Sequence, residues 1–159
     1  MSDRYPAEIS IGGKIPKKLI SSLLDALEGD GVMDSGFESS LDREEIANVI
    51  QLADKGKTTA DFADDQASYG TFSETEAFCE KHRLGFVRHS DAYSEFNAER
   101  VVFLPETGMK EPKICDSDQN KGTLISLEKL RSYKPTTPLS KVIADLSVYE
   151  RSLLPVEVV

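Results

Sequence analysis

A chain of 159 residues with 28 acidic and 19 basic side chains carries a formal charge of −9, and at this length one self-supporting domain is the natural expectation. An acidic surface is repelled by phosphate backbones and anionic lipid alike, and no apolar run approaches the roughly 20 residues of a membrane-spanning helix, so direct nucleic-acid or membrane binding is disfavoured and a basic partner is permitted. Two cysteines, Cys79 and Cys115, are too few for a disulfide framework, and no basic-then-apolar leader opens the chain; both point to a reducing cytoplasm.

Residues Ala7 to Gly12 alternate, with Ile9 and Ile11 on one face and Glu8 and Ser10 on the other, which predicts a half-buried strand ended by Gly12-Gly13. Pro16 suits a first helical position, and Leu19, Ile20, Leu23, Leu24 and Leu27 recur at helical spacing before Gly29 and Gly31. A polar loop, Met33 to Ser40, leads to Asp42 and Glu45, which can form a capping box for a second helix striped by Ile46, Val49, Ile50 and Ala53 and stopping at Gly56. Thr58 to Ala63 is a weaker strand with Ala60 and Phe62 inward. Ser73 with Glu76 predicts another capping box, opening a helix that ends between Arg83 and Gly85.

Phe86 to Asp91 reads as a strand, and the continuous apolar run Val101 to Leu104, closed by Pro105, as the centre of the sheet. Lys113 to Asp116 and Thr123 to Leu127 flank a hairpin tip at Asp118 to Gly122, a short helix spans Leu127 to Tyr133, and Thr137-Pro138 opens a last helix bearing Val142, Ile143, Leu146 and Tyr149 and closed by Pro155. The order predicts an α+β fold: helices on one face of a mainly antiparallel sheet, a split β-α-β core with an inserted acidic helix. Residues 1–134 would form the domain, and residues 135–159 a C-terminal helix and tail packed on it or on a partner.

Several local patterns invite chemistry and carry little. Arg88-His89-Ser90-Asp91 gathers a base, a nucleophile and an acid, yet on a strand His89 and Asp91 share one side while Ser90 points away with Arg88, so a serine-histidine pair cannot form there. These four residues are the basis of an alternative reading as a small hydrolase. Cys79, His82, His89 and Cys115 could supply four zinc ligands but lack the compact spacings of structural sites. Asp116, Asp118 and Asn120 resemble the start of an EF-hand calcium loop, but Lys121 stands where the turn glycine belongs and Glu128 falls one position late. No metal and no cofactor are expected. Gly12-Gly13-Lys14 lacks the spacing of a phosphate-binding loop.

Concentration of charge is the strongest signal. Residues 25–65 hold twelve carboxylates against three bases, an imbalance equal to the charge of the whole chain, so everything outside is neutral. Like charges so close repel, and even spacing would confer the same solubility at lower cost. The expected function is a non-enzymatic binding module or inhibitor whose carboxylate-rich face meets a basic protein surface through Asp30, Asp34, Glu38, Glu44, Glu45, Asp61, Asp64 and Asp65. In its sharpest form it is a nucleic-acid-mimicking decoy of the type carried by phage and mobile elements, its partner a nucleic-acid-binding protein. A homodimer through Val142, Ile143 and Leu146 is a further expectation.

Overall fold

The computed structural model of the chain describes residues 3–93, 97–106, 108–114, 125, 127–147 and 153–159, with 109–114 as backbone only. Its elements are β1 (Arg4–Ile15), α1 (Ile20–Asp30, preceded by one 3-10 turn), α2 (Arg43–Gly56), β2 (Ala60–Ser68), α3 (Ser73–His82), β3 (Gly85–Ser90), β4 (Glu99–Leu104), β5 (Met109–Ile114), α4 (Leu127–Arg131), α5 (Leu139–Leu146) and β6 (Val156–Val158). This is the α+β arrangement that the pattern predicts. Five antiparallel strands run in the order β2-β1-β3-β4-β5. The β2-α3-β3 unit is the split β-α-β: β1 lies between its two strands, antiparallel to both.

Period-2 alternation decides which side of the sheet the helices cover. Ala7, Ile9 and Ile11 of β1 stand beside Phe62 and Ala60 of β2 and Phe86 of β3, and these meet Leu23, Leu24 and Leu27 of α1, Ile46, Ile50 and Ala53 of α2, and Phe78 and Cys79 of α3 in one core. Burying Phe62, Phe72 and Phe86 completely contributes about 1.5 to 3 kcal/mol each before ordering costs.

The structure departs from the expected elements in four places. β1 does not stop at Gly12-Gly13; it continues to Ile15, where the C-terminal strand β6 joins it in parallel through Gly13–Val156 to Ile15–Val158 pairing. A Cβ at Gly12 would collide with the carbonyl oxygen of Leu154, so the glycine is there for close approach of the tail. The run Val101–Leu104 is buried throughout, as a covered strand should be, but β3 rather than β4 occupies the middle of the sheet. Antiparallel pairing with β4 brings in β5 as the edge, where Pro112 is tolerated because only one side needs ladder bonds.

The fourth departure concerns α3. Its N-cap residue is Phe72 and no side chain from Ser73 closes a box. Instead Asp30, at the far end of α1, accepts from the backbone N–H groups of Glu74 at 3.2 Å and Thr75 at 2.8 Å. The box of α2 does form: Asp42 Oδ1 accepts from Glu45 N at 2.9 Å and Glu45 Oε2 accepts from Asp42 N at 2.8 Å. The hairpin tip at 118–122, the calcium-like loop and Cys115 lie outside the described residues.

Candidate functional site

The amphipathic turn of α2 creates the site. Ile46, Ile50 and Ala53 point into the core, so by helical spacing Glu44, Ala47, Asn48, Gln51 and Asp54 form the neighbouring flank. Lys17 and Ile20, where the chain enters α1, stand opposite, and Val158 of β6 closes one end. Together these bound a groove of about 800 Å³ with Asp42, Glu44, Glu45 and Asp54 at its rim and Ile20, Ala47, Ile50 and Val158 within. Four carboxylates face one lysine there.

Some of these carboxylates have structural duties as well. Asp42 and Glu45 make the capping box, and Asp54 accepts from Val158 N and from Lys57 Nζ, both at 3.3 Å. Accepting a hydrogen bond from a backbone N–H does not neutralise a carboxylate, so the field of Asp42 and Glu45 persists, while Lys57 offsets part of the charge of Asp54. Glu44 stands exposed in the first turn.

The other residues expected to meet a partner fall in different surroundings. Asp30 is half-buried under α3, and burial pushes its pKa up against the opposing pull of the Thr75 and Glu74 N–H bonds. Asp34 organises its own loop, accepting from Gly36 N and Glu38 N at 3.0 Å and from Ser39 Oγ at 2.9 Å; these donors hold its carboxyl below the usual value. Glu38 and Asp65 are exposed. Asp64 lies on the helix side of β2, close enough to Asp30 and Asp65 to feel their charge, with a pKa raised mainly by burial. Asp61, one ladder step from the buried Phe62, projects from the opposite face of the sheet. Of the eight, Glu44 and Glu45 share the groove. Arg43 occupies Asp25 at 2.8 Å and also Glu28, tying α2 to α1 and satisfying part of the acidic span internally.

Around β3 the face rule holds. Arg88 and Ser90 project to the helix side, where Arg88 Nη1 donates to Gly70 O at 2.7 Å and to Ser90 Oγ at 3.3 Å, Nη2 donates to Glu99 Oε1 at 2.5 Å, and Nε sits 2.9 Å from Glu76 Oε1. Arg88 and Glu76 are each 4% exposed. His89 projects to the other side, between Glu8 of β1 and Arg100 of β4, with Nδ1 3.9 Å from Asp91 Oδ1. Ser90 and His89 are thus on opposite faces. The arginine cluster was the part that pattern reading missed: nothing in a strand sequence announces that Glu76 and Glu99, twelve and eleven residues away, converge on one guanidinium.

Cys79 is buried and desolvation pushes its thiol up to about 12, which leaves it without thiolate character. His82 packs against Phe78 with ring centroids 4.5 Å apart. Among the described residues no helix is long and apolar enough to cross a membrane. No family model, curated protein or solved structure matches this chain.

Proposed function

We propose that the protein is a non-enzymatic binding module of the cytoplasm that receives a basic, amphipathic segment of a partner protein in the α2 groove. One observation carries the reading: the groove combines a rim of Asp42, Glu44, Glu45 and Asp54 with an apolar floor of Ile20, Ala47, Ile50 and Val158. Charge at the rim steers and orients a cationic segment, while the partly exposed Ile20, Ala47 and Val158 offer it apolar contact. The imbalance of residues 25–65 in a chain otherwise neutral adds a long-range field of the same sign. A nucleic-acid-binding partner fits this chemistry, because its binding surface is basic; the module would then act as a decoy.

The hydrolytic alternative has less behind it. Arg88 directs its donors to Gly70, Ser90, Glu76 and Glu99, and His89 stands on the face away from Ser90.

A lysine-rich amphipathic peptide, followed by fluorescence anisotropy with the full chain, tests the proposal. Affinity should fall about tenfold or more between about 0.05 and 0.5 M salt, as the screening length contracts. The doubly substituted Glu44→Lys, Gln51→Lys protein should lose a similar factor. Binding that ignores both salt and charge reversal, or no binding at concentrations where the chain is monomeric, overturns the reading.

A further inference from the structure

The basic segment that the groove awaits has a counterpart in the same chain. Residues 127–147 hold Lys129, Arg131, Lys134 and Lys141 against Glu128 and Asp145, a local excess of base in an acidic protein. They form α4 and α5, neither of which has a buried residue. On α5, Leu139, Val142, Ile143 and Leu146 recur at three- and four-residue intervals, the pattern of a helix that packs against something. Leu139 is nevertheless 72% exposed and Ile143 55%, and Leu127 and Leu130 of α4 are exposed as well.

We propose that this arm docks in the α2 groove of a second copy, so that the protein is a reciprocal dimer; the inference rests on the acidic-groove reading above and names its occupant. Charge is complementary over the arm as a whole: α5 itself balances Lys141 with Asp145, and the basic excess comes from Lys129, Arg131 and Lys134 just before it, opposite a rim of four carboxylates. The apolar parts match in kind, Leu139, Val142, Ile143 and Leu146 against Ile20, Ala47, Ile50 and Val158. Length matches too: at about 1.5 Å per residue the eight residues of α5 span about 12 Å, and the ten steps of α2 from Glu44 to Asp54 about 15 Å. Among the described residues Leu139 and Ile143 stay exposed and Ile20, Ala47 and Val158 are only partly covered, and a second copy carries both surfaces. A twofold exchange would make the contact twice in a closed assembly, in the helix-in-groove manner.

Sedimentation of the full chain over a range of concentrations at low salt provides the test, with the lysine-rich peptide added in parallel samples. A dimer is expected whose dissociation constant rises about tenfold or more in each of Ile143→Asp and Glu44→Lys, and again on adding salt. Combining Glu44→Lys with Lys141→Glu should recover part of the loss, because the exchanged charges again oppose each other. All three altered positions are exposed, so circular dichroism should show an unchanged fold. A monomer at every concentration, or a dimer indifferent to both single substitutions, overturns the exchange. A monomer that still binds the peptide through Glu44 refutes the exchange alone; one that ignores the peptide refutes the acidic-groove reading with it.

Discussion

Two groups of charged side chains in this protein behave in opposite ways, one around Arg88 and one along α2. Around Arg88 the charges are consumed, and Arg88 and Glu76 are buried: one guanidinium joins β3 to the Gly70 turn, to α3 through Glu76 and to β4 through the part-exposed Glu99. Along α2 the charges are solvated, and only part of their hydrogen-bonding capacity goes to caps and to the tail. Desolvated charge has to be matched on the spot or the fold fails, whereas solvated charge costs the fold little and stays available to a partner. Composition counts both kinds alike, and that is why net charge alone says nothing of which carboxylates could act.

The contrast is open to test from its strongest consequence downward. Arg88→Met should destabilise the protein by about 3 to 5 kcal/mol in urea unfolding, because it leaves Glu76 buried without its counter-charge; a second change, Glu76→Gln, should restore part of that loss. If Arg88→Met proves neutral, the cluster is not holding its three elements together. Gly12→Ala should cost about 1 to 3 kcal/mol, since the added methyl meets the Leu154 carbonyl and lifts β6 from β1; faster proteolysis of the tail would report the same event.

Asp30→Ala should cost about 1 to 2 kcal/mol through the loss of two N–H bonds at the start of α3. Its conservative counterpart separates charge from capping by pH. Burial raises Asp30 above its ordinary value of 3.8, so the folded state holds that proton more tightly than the unfolded chain, and the native protein should gain stability relative to Asp30→Asn as pH falls through the region just above 3.8. Asp34, lowered by its N–H donors, has the opposite sign: its contribution is present above the unfolded value and is lost as pH falls through the folded one, so the native protein should lose stability relative to Asp34→Asn. Thermal unfolding of the two variants between about pH 3 and 7 should therefore give curves of opposite slope. At the small end, Glu44→Lys should change stability by less than about 0.5 kcal/mol, since the residue is exposed, while abolishing most salt-dependent binding.

Much of the fold was legible because it follows from short periodicities. The Ile9–Ile11 alternation, the leucine stripe of α1 and the Asp42–Glu45 box each bring their own local reason and reappear in the structure. Elements that depend on a distant neighbour were not legible. In β5 only Lys113 and Ile114 fall in an expected hairpin arm, and Lys110, Glu111 and Pro112 have no strand pattern and pair because β4 offers them an edge. In β6 three residues near the end of the chain become a strand only because Gly12 leaves room for the tail beside β1. The Ser73–Glu76 box was a sound local inference overtaken by Asp30 and Arg88, both far away in sequence. Even helix ends followed tertiary need: Lys57 and Arg83, not glycines, take the left-handed capping positions of α2 and α3.

From the residues alone came the α+β class, the faces of β1 and β3, the amphipathic flank of α2 and the concentration of acid between 25 and 65, since each follows from spacing over a few residues or from simple counting. Tertiary structure decided which of those acids cap a helix, which lie under a neighbour and which line a groove. Such assignments depend on the environment that distant segments create around a carboxylate, and desolvation and hydrogen bonding act only once those segments are in contact.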